Sequence, residues 1–307
     1  MSPKTSSAPL FGGAEDPKRG REVLIALAET YPQLYLTPGP IGAKLYPGIV
    51  RSGEDAPDHS LTGFRSHADD SLEFESTPAG IVPVITLHAR EDFERFLRLM
   101  AHRGENSDIP ATQGAAILDG VVNWTKIRAH EAAFLASGGK ESDWGEEFER
   151  FVSVKGNFRD TLIVLSWGPY SAVPAGETGY PEKEWLRMSH SIRKAHECTH
   201  FICRRLFPER KDAVWDELVA DAVGITAALG HFDRALAERF LGIREGCYTG
   251  GRLENYVSDG DRCALDALAA RADTVLRRFE TVLAKDIGGI YSLPARLEEE
   301  IGCWKQS

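Results

Sequence analysis

Apolar residues recur at helical spacing over Arg19–Thr30, where Val23, Leu24, Leu27 and Ala28 share a face. They do so again over Arg90–His102, through Phe93, Phe96, Leu97 and Met100. Two runs break that rhythm. Ile81–Leu87 and Asp160–Ser166 are continuous, β-branched and aliphatic, and predict strands, the second being the clearest in the chain. Leu34–Asp70 reads as loop-rich, because TPGPIGAKLYPG is dense in turn residues. In Ile109–Phe134, Gly114, Gly120 and Asn123 predict a shaped loop or short hairpin, then a helix from about Trp124. Glu146–Val152 reads as a short helix.

The second half is more helical. After the Gly- and Pro-broken loop WGPYSAVPAGETGYP, a helix is expected from Pro181 or Glu182 through Leu206, with Pro208 just beyond its end. A second starts at Asp212, a good N-cap, and stops at Gly230. A third covers Phe232–Phe240, and Gly242–Asp261 reads as loop. Long helices follow over Arg262–Lys285 and Pro294–Gly302, parted at Gly288-Gly289. The sum is an α+β chain, helix-rich with a small sheet, and not a regular βαβ alternation. Residues 1–18 read as disordered. An N-terminal α/β region is expected over 19–150 and a second half over 151–307, with no Pro/Ser-rich linker between them, so that both fit as lobes of one unit.

Charge narrows the partners. A net charge of −10 argues against nucleic acid and anionic membrane surfaces. No apolar run approaches the ~20 residues of a membrane span, and the first residues lack the apolar core of a secretory signal. The five cysteines are odd in number and form no CxxC pair, so they read as reduced thiols and the expected compartment is cytoplasmic. Gly114 and Gly120 fit no phosphate-binding glycine pattern. Nothing in the sequence defines an oligomeric state.

The chemistry concentrates in Ser189–Leu229. His196-Glu197-Cys198-Thr199-His200 is an HExxH motif inside an expected helix, so both imidazoles stand on one face, one turn apart, and can grip one metal ion. Glu197 is placed to serve a metal-bound water without being a ligand. On the next helix Glu217 and Asp221 are again four apart: one can ligate while the other supports a ligating His. The short turn between the helices folds them antiparallel and brings Glu217 towards His200. Competing patterns fall away. His130-Glu131 lacks the second His, since residue 134 is Phe; the third His of a metzincin is missing; no second Glu-x-x-His exists for a di-iron bundle. A thiolate from Cys203 would close the site and make it structural.

HECTH followed by DELVADAVG resembles the gluzincin class of zinc metallopeptidases, over residues 189–229. The resemblance implies a zincin-like fold, Zn2+ held by His196, His200 and Glu217, Glu197 as general base, and Asp221 in support of a ligand. It further implies a zinc-dependent hydrolase acting on a peptide or small amide, with activated water attacking the carbonyl. Such an enzyme needs an edge strand for extended substrate, for which Asp160–Ser166 is the candidate, and a donor for the developing oxyanion. Tyr248, Arg252, Tyr256 and His231 are the candidate donors, and His190 is placed to border the site. Two other readings are a zinc-binding protein without peptidase activity and a metal-free helical interaction domain.

Overall fold

A computed structural model of the chain describes residues 18–209, 212–257, 261–284 and 288–302. Most of the expected disordered stretch 1–18, together with Lys285 and Cys303, lies outside the described residues. The chain divides into two compact units: one of residues 1–74, 82–110 and 116–166, the other of 75–81, 111–115 and 167–307. The main boundary therefore falls at 166, after the strand rather than before it as the expected break at 150 had it.

Up to residue 166 the chain strings together β1 (Lys18–Arg19), α1 (Arg21–Thr30), α2 (Pro40–Ser52), β2 (Ser71–Thr77), β3 (Gly80–Leu87), α3 (Arg90–Met100), β4 (Ala115–Val122), α4 (Trp124–Ala136), α5 (Trp144–Ser153), α6 (Lys155–Phe158) and β5 (Arg159–Ser166), all within the first unit except the end of β2, the start of β3 and Ala115. The sheet runs β1-β2-β3-β5-β4, with β3 and β5 parallel in the register Val84 to Ile163 and Leu87 to Ser166. Alternate residues Ile85, Leu87, Leu162 and Val164 join one core with Leu24 and Leu27 of α1 and Phe93 and Phe96 of α3. Buried Asp160 is satisfied by the Tyr31 hydroxyl, the Asn123 amide and Lys126, all at 2.6 Å, which ties the start of β5 to the N-cap of α4.

Three sequence expectations change here. β5 is flanked by β3 and β4, and Leu162, Ile163, Val164 and Leu165 are all buried, so its ladder has no free edge for an extended substrate. Pro40–Ser52, read as loop, is helical: Pro40 occupies the first turn, where its missing N–H is unneeded, and Gly39 takes a positive φ of 134° just before it. The glycine-bearing stretch before Asn123 is strand β4 rather than a loop, though Asn123 does cap α4 by accepting from Lys126 N.

The second unit is built on α7 (Glu182–Leu206) and α8 (Ala213–Leu229), followed by α9 (Arg234–Leu241), the two-residue strands β6 (Ile243–Arg244) and β7 (Cys247–Tyr248), α10 (Arg262–Leu283) and α11 (Leu293–Ile301). Asp212 caps α8 at Trp215 N, and Gly230 ends it in the left-handed region. Helix α8 is the core helix: Trp215, Leu218, Ala222 and Ile225 are buried with Trp185, Phe240, Phe279 and Leu297 from its neighbours. It lies very close to α7. A Cβ at Gly224 would meet the Ile192 carbonyl oxygen at 2.7 Å, so only glycine permits this approach. Among the described residues no helix is long and apolar enough to cross a membrane.

Candidate metal centre

Facing pairs fix the geometry of the two helices. Gly224 meets Ile192, Asp221 meets His196 and Glu217 meets His200, so α7 and α8 run antiparallel with matching four-residue steps. Because α8 is buried almost all round, its two carboxylates sit where a charge must be paired. Asp221 is fully buried, while Glu217 keeps a fifth of its side chain exposed.

Nε2 of His196 lies 3.0 Å from Nε2 of His200. The Glu217 carboxylate closes the cluster, with Oε2 3.5 Å from His196 Nε2 and Oε1 3.3 Å from His200 Nε2. These three residues form the His/Cys/Asp/Glu cluster, among the described residues, whose ligand atoms all fall within 4.8 Å of one another. Cys203, buried on the same helix, is outside it.

Behind His196 the protons can be assigned by elimination. Nδ1 lies 3.0 Å from Asp221 Oδ1 and 2.8 Å from the Tyr170 hydroxyl. A carboxylate only accepts, so Nδ1 carries the hydrogen and Nε2 presents its lone pair to the cluster. The Tyr170 hydroxyl donates to Asp221 Oδ1 at 2.7 Å and accepts from Arg252 at 3.1 Å. Arg252 also donates to Asp221 Oδ2 and stands 3.7 Å from Glu217. Burial pushes the Tyr170 phenol far up, and the Asp221 charge adds to that against the pull of Arg252, so the hydroxyl stays protonated.

Charge in this cluster is tightly balanced. Burial opposes ionisation of Glu217, yet a hydrogen bond with His200 and the charges of both histidines and Arg252 hold it well below the usual carboxylate range. Burial lowers His200, and the bond and charge of Glu217 outweigh it and raise the ring above its ordinary value. Asp221 is likewise depressed against its burial, chiefly by Arg252 and then by His196.

A tetrahedral zinc with ligand bonds of 2.0–2.1 Å separates its ligand atoms by about 3.3 Å. The observed spacings of 3.0, 3.3 and 3.5 Å bracket that value, and two imidazole nitrogens with one carboxylate are a set that zinc takes. The residues present therefore fit the ion.

Glu197 is half-buried and makes no hydrogen bond or ion pair among the described residues, while its charge acts on His200. Of the candidate donors, the structure brings in two. Arg252 reaches the cluster directly, and Tyr256 is raised by burial and then by the Glu217 charge. Tyr248 does not join them: its hydroxyl donates to Glu254 and accepts from Gly251 N within the same turn. Nor does His231, an exposed residue beyond α8 whose Nδ1 lies 3.2 Å from the Leu229 carbonyl. His190 packs on the Trp167 ring, 5.2 Å away.

Tyr170 is the residue that sequence reasoning missed. It sits on the loop after β5, held by Arg193, which donates to Gly168 and Pro169 carbonyls and lies over its ring. Ser171 and Ala172 follow it with φ of 51° and 57°, two successive left-handed residues that are not glycine. Strain of that kind collects at functional sites, but no local pattern in the sequence announces it.

The chain belongs to the family described as "Family of unknown function (DUF7005)", whose profile matches residues 26–292. No curated protein and no solved structure gives a significant match.

Proposed function

We propose that the protein is a zinc-dependent hydrolase of the metallopeptidase kind, with a zincin-like second unit and a peptide or small amide as substrate. The observation that carries this reading is the convergence of His196, His200 and Glu217 beside an unpaired, half-exposed Glu197. Bound zinc would supply Lewis acidity for a carbonyl and acidify a water to a pKa of about 7.

The chain's own groups do the rest. His196, His200 and Glu217 hold the ion, and Asp221 with Tyr170 fixes the tautomer and tilt of His196. Glu197 takes the proton of the attacking water and returns it to the leaving amine. Arg252 and Tyr256 offer cationic and phenolic donors to charge that develops on the carbonyl oxygen. With β5 enclosed, an extended peptide lacks its expected strand, and a small amide stands as an equal substrate class.

The test combines metal and activity. Purified protein reconstituted with zinc is expected to hold close to one equivalent. Glu197→Gln is expected to keep the metal and lose about 10²–10⁴-fold in hydrolysis across a peptide and amide panel. Less than about half an equivalent of zinc, not restored by dialysis against zinc, sinks the metal reading. Zinc retained with no hydrolysis of any panel member sinks the hydrolase.

A further inference from the structure

A cavity of about 350 Å³ opens in the first unit, between α2, the turn after α3, the end of β4 and the start of β5. That volume is within the range of small-molecule sites. Its apolar wall comes from Pro47, Val50 and Val122, and its polar wall from Arg51, Arg103 and Arg159, with Tyr46 and Glu105. None of these residues belongs to the metal cluster or its support.

In this unit Arg19 pairs with Glu73, Arg65 with Glu91, Arg90 and Arg98 with Glu94, and Arg128 with Asp55, while Arg95 bonds only the Leu36 carbonyl and the Thr37 hydroxyl. Arg51, Arg103 and Arg159 hold no carboxylate among the described residues, though the chain carries ten more negative than positive charges and could supply them. Three arginines line one opening, the Arg159 guanidinium lying over the Phe158 ring 5.2 Å away, and Glu105 offsets a single charge, leaving the lining at +2. An anion is what such a lining lacks.

Two further features belong to the same lining. The Tyr46 hydroxyl has no hydrogen-bond partner among the described residues; burial pushes it up, while Arg103 and Arg51 pull it back, so it feels both cations. Arg103 is held at a φ of 55°, a conformation that a long side chain adopts only at a cost of about 1 kcal/mol or more.

We propose that this cavity binds a small phosphate monoester, the dianion held by Arg51, Arg103 and Arg159 and an apolar or aromatic body lying on Pro47, Val50 and Val122 beside Tyr46. A dianion matches the net charge of the lining, and a bidentate guanidinium fits phosphate oxygens. The Tyr46 hydroxyl serves as a neutral donor to the same group.

The experiment is calorimetric titration of the full-length protein with phenyl phosphate and AMP, against phenol and adenosine as their neutral counterparts. At least one of the two monoesters is expected to bind saturably, at least about tenfold more tightly than its neutral counterpart, and to weaken with salt. Arg51→Ala with Arg103→Ala is expected to weaken it at least about tenfold, and Arg159→Glu to do the same independently. All three arginines are exposed, so circular dichroism should be unchanged in the variants. Saturable binding by neither monoester, equal affinity for the neutral counterparts, or unchanged affinity in both folded variants overturns the proposal. Glu217→Gln, in the other unit, is expected to leave this binding intact.

Discussion

The ring nitrogens Nε2 of His196 and Nε2 of His200 face each other at 3.0 Å, and the hydrogen on the first ring is committed to Asp221. In the metal-free cluster a hydrogen on His200 Nε2 serves both Glu217 and the His196 lone pair, and a metal ion would take the place of that hydrogen. The first prediction follows. His200→Ala should lower zinc affinity at least about 100-fold, read by competition with a chromophoric chelator. Zinc at about 100 times its dissociation constant should raise stability by about 2.7 kcal/mol, a gain that falls to about 0.4 kcal/mol or less in the variant at the same concentration. Equal zinc affinity in the two proteins would remove the cluster from metal binding.

Tyr170 acts on the cluster through His196, Asp221 and Arg252. Tyr170→Phe deletes the hydroxyl that bridges them and leaves the ring against Phe240, 4.8 Å away in an edge contact. The expected outcome is a folded protein with zinc affinity reduced about 10–100-fold. A variant that binds zinc as wild type does would reduce Tyr170 to a packing residue.

What the sequence exposed and what it hid differ for a physical reason. Spacings of four residues on helices encode a face, so the relation of His196 to His200, and of Glu217 to Asp221, could be read before any fold was known. The caps at Asp212 and Gly230 were equally legible, because capping is local chemistry. Tyr170 was hidden because a loop's path is set by what it packs against, here Arg193 and α7. Strand β2 escaped notice since Leu72 and Phe74 alternate with Glu73 and Glu75 over only four residues. Sheet order was hidden too: nothing within Asp160–Ser166 says that β3 and β4 flank it. Arg252 and Tyr256 were named among four donors, and only tertiary contacts separate them from Tyr248 and His231.

Close helix packing gives a third prediction, with its own control. Gly224→Ala drives a methyl group into the Ile192 carbonyl and must push α8 from α7. It should cost about 1–3 kcal/mol in chemical denaturation and weaken zinc binding as well, since the same separation moves Glu217 from His200. Gly145→Ala has the opposite expectation. That residue lies inside α5 with nothing within 4 Å of an added Cβ, so the change should stabilise by about 0.4–1 kcal/mol. If both substitutions behave alike, the contact with Ile192 is not what makes position 224 special.

The last prediction concerns the first unit and acid. Asp70 is fully buried, where Oδ2 accepts His67 N at 2.9 Å and Oδ1 accepts His88 N at 2.8 Å, with the His88 ring 3.7 Å away. Burial raises its pKa, but the His88 ring and the two backbone donors outweigh that and hold it below the ordinary aspartate value. A depressed folded-state pKa means that the stabilisation is fully present above the unfolded value of about 3.9 and fades as pH falls through the folded value. Asp70→Asn offers an NH₂ group to one of two N–H donors and leaves it unmet, at a cost of about 1–3 kcal/mol near pH 7. Urea denaturation of wild type and variant should show that gap at neutral pH and a smaller one below about pH 4, where wild-type Asp70 also begins to protonate. A gap that is constant or widens towards acid would mean that the carboxylate charge contributes nothing to holding the β2–β3 region against the turn at His67.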